Sequence, residues 1–196
     1  MVAQSIAFVY APVGGPVKSE DDPVMEMGGE YGASVAAAMD LERQVLEAEG
    51  LEGLVLRYGF FYGPGSSYAA DGHQAEEVRR RRFPIVGRGD GVFSFVHVED
   101  AATATVAACE RGEPGIYNVC DDDPAPVREW LPVYANAVGA KRPLRVPKLI
   151  ARMVGGEAAV ALAATLRGAS NAKARRGLGW EPRWTSWRQG FEQALG

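Results

Sequence analysis

Few of the residues that announce a chemistry on their own are present. The chain of 196 residues has two cysteines and two histidines. Cys109 and Cys120 form neither a metal-ligand spacing nor a disulfide framework, so both are expected to be reduced thiols of a cytoplasmic protein. An excess of positive charge is missing as well. Lys and Arg total 21 against 25 Asp and Glu, and the net charge of −4 excludes a general attraction to nucleic acid or to an anionic membrane surface. No apolar run is long and clean enough to cross a bilayer. The best candidate, Leu149 to Leu166, is interrupted by Arg152, Gly155, Gly156 and Glu157. Met1 to Tyr10 is apolar but has no basic leader, and Pro12-Val13-Gly14-Gly15-Pro16 follows it, so a strand is expected there rather than a signal peptide.

What is present describes an ordinary globular chain. Hydrophobic residues make up 47% and charged residues 23%, enough to bury one core. No internal repeat or low-complexity stretch divides it. The expected organisation is a single domain over 1–196, mostly sheet core through 1–125 and mostly helical lobe through 126–196.

Periodicity and turn chemistry place the elements. Val2 to Tyr10 reads as a strand, and Ser34 to Glu49 as a helix capped by Ser34 and ended by Gly50. Gly53 to Arg57 reads as a buried parallel strand, making a strand-helix-strand crossover. The stretch Leu56-Arg57-Tyr58-Gly59-Phe60-Phe61-Tyr62-Gly63-Pro64-Gly65 then carries the chain from that strand into a glycine-bracketed loop. In open α/β sheets ligands sit beyond the carboxyl ends of strands, which makes this loop the expected address for a ligand. Gln74 to Arg82 is a charged helix whose terminal Arg79-Arg80-Arg81-Arg82 fits a solvated last turn better than a nucleic-acid face. Pro84 to Gly91 is glycine-rich, but a strand, Val92 to Val96, follows it, so it is no phosphate-binding turn. Asp100 is the expected N-cap of a helix over Ala101 to Glu110, with His97 tying down the strand end before it. Gly115 to Val119 reads as a strand, and Asp121-Asp122-Asp123 as a solvated loop lacking the further ligands a metal needs. Helices are expected from Val127 with a kink at Pro132, over Leu149 to Leu166, over Asn171 to Arg176, and over Trp187 to Leu195 with Thr185 or Ser186 as cap.

Four of these landmarks, Leu56 to Gly65, Phe95-Val96-His97-Val98-Glu99-Asp100-Ala101-Ala102, Gly115 to Val119 and Leu178-Gly179-Trp180-Glu181-Pro182, resemble in order and spacing the NAD-dependent epimerase/dehydratase family of extended short-chain dehydrogenases. The resemblance implies a Rossmann-type parallel sheet with a small, mainly helical substrate lobe, and an oxidoreductase using NAD or NADP. Set against the family pattern the sheet is truncated. The N-terminal strands and the Gly-x-x-Gly-x-x-Gly turn that grips the cofactor pyrophosphate have no counterpart, so an incomplete cofactor site is expected from this chain. The strand Val2 to Tyr10 would then present an open edge, available to a second copy or to a partner.

The same resemblance sets the candidate residues. Counted back from Glu42 the family tyrosine falls on Ser34 and the lysine four residues on at Ala38, while taking Tyr31 as the tyrosine puts Val35 at the lysine position, so that with the nearby serine only Ser5 and Tyr31 remain as polar counterparts. Cofactor contacts fall on Tyr58, Gly59 and Phe60, and the substrate pocket on Phe61, Tyr62, Phe93 and His97. Phe60 and Phe93 occupy positions where nucleotide-sugar enzymes place an asparagine and an arginine. An apolar ring cannot make charge-assisted bonds to a pyrophosphate. The implied substrate is therefore a small molecule other than a nucleotide sugar, with neither a membrane nor nucleic acid as partner. The alternative reading is a non-catalytic remnant that serves as a binding or interaction module.

Overall fold

The structure, a computed structural model, describes residues 1–26 and 28–194. In chain order it runs β1 (Val2–Ile6), β2 (Val17–Lys18), α1 (Gly29–Leu46), β3 (Leu54–Tyr58), β4 (Phe60–Tyr62), α2 (His73–Arg79), β5 (Ile85–Val86), β6 (Val92–Phe93), β7 (Phe95–His97) and α3 (Val98–Arg111). Then come β8 (Gly115–Val119), β9 (Ala125–Pro126), α4 (Val127–Ala137), β10 (Arg145–Val146), α5 (Lys148–Ala164), β11 (Gly168–Ala169), α6 (Ala172–Leu178) and α7 (Trp187–Ala194). The expected last residue of α7, Leu195, lies outside the described residues.

The organising sheet is parallel, in the order β1-β3-β8, with Ser5, Arg57 and Asn118 in one cross-strand row. All five residues of β3 are buried, as an apolar central strand covered on both faces must be. Alternation then divides its side chains. Leu54, Leu56 and Tyr58 pack with α3 and α6 through Ala104, Ala108, Leu178 and Trp180. Arg57 points to the other face and meets Glu42 of α1 at 2.6 Å. Beyond the sheet's carboxyl end, β4 pairs in parallel with β7, and a second, aromatic core of Phe93, Phe95, Trp130, Tyr134, Trp187 and Phe191 joins these strands to the helical lobe.

Several boundaries differ from expectation for identifiable reasons. β1 stops at Ile6 instead of Tyr10, because its partner β3 ends at Tyr58. Val9 and Tyr10 are nonetheless fully buried, and Tyr10 bridges antiparallel to Val24. α1 begins five residues before Ser34, entered from Gly28 in extended conformation with no side-chain cap bond. The segment expected as pure turn, Phe60 to Tyr62, is a strand. α2 ends at Arg79, and Arg81 takes a left-handed φ of 59°. The arginine run is therefore only partly a last turn: Arg79 binds the carbonyls of Val138 and Ala70, and Arg81 that of Arg142.

Two further corrections concern acids. The N-cap of α3 is His97, whose Nδ1 accepts from the Glu99 amide at 3.2 Å. Asp100 instead turns its buried carboxylate to the amides of Arg183 and Trp184, both at 2.9 Å. The aspartate triplet is not a solvated loop either. Asp121 is buried and accepts from the Trp187 amide at 2.7 Å, Asp122 holds Asn171 and Arg175, and Asp123 holds Ser186 and Arg188. Together the three acids fasten the start of α7 and of α6 to the end of β8. Ser186 Oγ also accepts from the Arg188 amide at 3.1 Å, the capping role expected of it.

Candidate functional site

The loop that leaves β3 is held open by close backbone packing. A Cβ on Gly59 would lie 2.5 Å from the Ser94 carbonyl oxygen, so only glycine lets the chain swing beside β7 and continue as β4. Gly63, at φ +98°, lies against the His97 ring. These two glycines bring Tyr58, Phe60 and Phe61 to the carboxyl end of the sheet, where two cavities adjoin.

The first is a cleft of about 560 Å³ lined by Ser5, Ile6, Phe8, Tyr58, Gly59, Phe60, Phe61 and neighbours from the Gly65–Tyr68 turn. None of its lining residues is charged. The second, of about 510 Å³, lies toward the lobe between Phe60, Phe83, Val86, Phe93, Ile150 and Ala163, with Arg82 and Glu77 as its charged lining. Phe60, Tyr68 and Gln74 line both. Phe60 is the middle of a stack of three rings: Phe8 on one side at 4.3 Å and Phe93 on the other at 4.5 Å. Stacking at these distances fixes the ring as a wall between the two spaces.

The candidate residues are placed as follows. Ser5, Tyr58, Gly59, Phe60 and Phe61 come together around the cleft, and Phe60 and Phe93 around the second cavity. Tyr62 and His97 line neither. Tyr62 is fully buried in the aromatic core, and His97 stacks on Trp184 with ring centroids 4.8 Å apart. Burial holds the His97 imidazole below its ordinary value, although Glu99 and Asp100 pull it upward. Phe8, Tyr68, Gln74 and Arg82, which sequence reasoning did not select, complete the walls. No local pattern marks them, since they converge from separate elements.

The two hydroxyls expected to handle protons are both engaged. Ser5 Oγ donates to Glu42 Oε1 at 2.6 Å, inside a buried network in which Arg57 also binds Glu42 and the Tyr10 hydroxyl, and Tyr10 donates to Asn118. Tyr31 donates to the Phe8 carbonyl at 2.7 Å, and burial pushes its phenol up to about 12. A lysine beside the phenol would act in the opposite sense, and Val35 stands one turn on. No group of three His, Cys, Asp or Glu side chains is assembled for a metal ion among the described residues, and no helix among them is long and apolar enough to cross a membrane.

The cleft can be compared with what a nicotinamide cofactor needs. Its apolar rings fit an uncharged nicotinamide ring, while it offers no cation to a pyrophosphate.

Known proteins with the same arrangement supply the context. The profile of the NAD dependent epimerase/dehydratase family matches residues 2–120. A 3-diazoavenalumate denitrifying reductase from a Streptomyces species is 46% identical over 97% of this chain, and a UDP-glucose 4-epimerase from Halalkalibacterium halodurans is 28% identical over 95%. The chain spans 63% and 59% of the lengths of these two relatives. Among solved structures, a human epimerase family protein with NADPH superposes over 99% of this chain and 64% of its own, with a TM-score of 0.77 at 18% identity. The UDP-glucose 4-epimerase of Thermotoga maritima with UDP-glucose covers 99% and 61%, with a TM-score of 0.70 at 24% identity. The parallel sheet with its crossover helices, the glycine-bracketed loop and the 46% identical reductase agree, and the chain belongs to the NAD dependent epimerase/dehydratase family of extended short-chain dehydrogenases.

Proposed function

We propose that this chain is the substrate-binding part of a cytoplasmic NAD(P)H-dependent reductase whose substrate is a small, apolar-bodied molecule rather than a nucleotide sugar. The observation that carries this is the Phe60–Phe93 stack: rings 4.5 Å apart wall the cavity at the two positions where the resemblance puts phosphate-binding side chains. The cleft on the other side of Phe60 takes the nicotinamide end of the cofactor. When bound, the reduced nicotinamide supplies a hydride. The lining of the cleft carries no cation to hold the pyrophosphate.

The chain's own residues position and exclude water more than they move protons. Phe8, Phe60 and Phe93, stacked face to face, form one apolar wall between the two spaces, and Phe83 and Ile150 close the apolar side of the cavity. The tied Ser5 and Tyr31 suit a reduction that needs no tyrosine acid. The 46% identical relative is named for a denitrifying reduction of a diazo compound, and replacing a diazonium group by hydride with loss of dinitrogen consumes no proton. We extend that reaction class to this chain.

The engaged hydroxyls also favour the second reading, a non-catalytic binding module whose open β1 edge meets a partner or a second copy. Mixing the protein with NADPH or NADH and a small aryl diazonium carboxylate separates the two. Oxidation of the reduced nicotinamide with stoichiometric dinitrogen release supports the reductase. Cofactor and diazo compound both left unconsumed, by the chain and by the chain joined to the remaining segment of its 46% identical relative, support the module.

A further inference from the structure

We propose that Arg82 anchors a carboxylate at the end of the second cavity remote from the cofactor cleft, so that the substrate is a planar acid with its reacting group and its carboxylate at opposite ends. This rests on the reading of that cavity as the substrate site. Phe60, Tyr68 and Gln74 line both spaces and so mark the end of the cavity where a reacting atom meets the cofactor. Arg82 lines the second cavity and not the cleft, from beyond the C-terminal end of α2, whereas Gln74 sits in the first turn of that helix. Its side chain is 62% exposed and its tie to Glu77 is long, at 3.6 Å, leaving donors of the planar fork of Arg82 free for a guest. Glu77 is the single acid of the lining among the described residues. Between the two ends the walls are rings and aliphatic side chains, Phe83, Phe93, Val86, Val146 and Ile150. Such a slot accepts an apolar body, with its charged lining, Arg82 and Glu77, gathered at the end of α2. The arginine run that composition leaves as a solvated turn thus gains a specific member.

At the other end, Gln74 lines both cavities, its backbone amide taken by the Ser67 carbonyl at 2.9 Å. Its side-chain carboxamide can orient the polar group of a guest where the two cavities join.

Calorimetric titration of the full chain with cinnamate and with its neutral isostere cinnamamide tests the assignment. The acid is expected to bind at least about tenfold more tightly than the amide. R82Q should remove that preference while leaving cinnamamide binding unchanged, and R82K should keep most of it. A163F, which fills the cavity, should abolish binding of both, with thermal unfolding run alongside to confirm that each variant is folded. Equal binding of acid and amide to the wild-type chain, or a preference that survives R82Q, overturns the role of Arg82 and leaves the apolar cavity standing. Failure of both ligands to bind, or binding that survives a folded A163F, overturns the cavity as substrate site and the anchor with it.

Discussion

Gly63 and His97 are in such close approach that a Cβ on the glycine would fall 2.5 Å from Nε2 of the imidazole, while Nδ1 of the same ring caps α3 through the Glu99 amide. One histidine thus fixes both the start of a helix and the backbone of the glycine-bracketed loop. Replacing Gly63 by valine adds a clash to a φ of +98° that side chains disfavour. The expected cost is about 2 kcal/mol or more, read as a lowered denaturation midpoint. An unchanged midpoint would show that the loop can shift away from His97 at no cost.

His97 also gives the stability a pH dependence of known sign. Its folded pKa lies below the ordinary 6.5, so below about pH 6.5 the unfolded chain binds more protons than the folded one. The contribution is complete above that value and is lost as the pH falls toward the depressed folded value. Melting at about pH 7.5 and about pH 5.5 should show a smaller acid loss in H97N, whose side-chain oxygen can still cap α3. Identical acid losses in the two proteins would assign the slope to other groups.

Asp100 joins α3 to the C-terminal segment by accepting two backbone amides from a buried position. D100A leaves the Arg183 and Trp184 amides without their acceptor, and should lower stability by about 1–3 kcal/mol. Because α3 keeps its cap at His97, the loss should appear in the packing of Trp184 and Trp187, followed by tryptophan fluorescence, more than in helix content by circular dichroism.

The Glu42–Arg57 pair, with both side chains 4% exposed, holds Ser5 and Tyr10 in place. Removing one partner by E42A strands a buried guanidinium, and about 3–5 kcal/mol of destabilisation is expected. The double variant E42L/R57M should cost markedly less than the sum of its single changes. Additive losses in urea denaturation would mean that the two charges do not depend on each other.

The uncharged cleft makes its own prediction about cofactors. Reduced nicotinamide mononucleotide and NADH should bind this chain with similar affinity, both weaker than about 100 μM, since the second phosphate and the adenosine meet no cation in the lining. Calorimetry showing NADH bound far more tightly would locate a pyrophosphate grip that the cleft does not have.

Much of the sheet was legible in the sequence because its signals are local. The apolar run ending in Arg57, the strand Gly115 to Val119 and the alanine-rich helix after His97 all carry their own periodicity, and the structure has each of them. What escaped was set by partners distant along the chain. Asp100 has the residue type and the position of a cap, yet its acceptors are spent on residues 83 and 84 positions away. Asp121 looks solvated among its acidic neighbours until α7 folds over it. The candidate site divides in the same way. The aromatic loop Tyr58 to Phe61 was visible, whereas Phe8, Gln74 and Arg82 join it only through the tertiary fold.

The ring of Phe60 stands in both cavities at once. A trimmed or enlarged side chain there resizes both spaces in a single stroke. If the two hold hydride carrier and acceptor as proposed, selection for a new substrate works freely at Phe93, Ile150 or Ala163, which line one cavity only, but at position 60 every change of diet is also a change of cofactor fit.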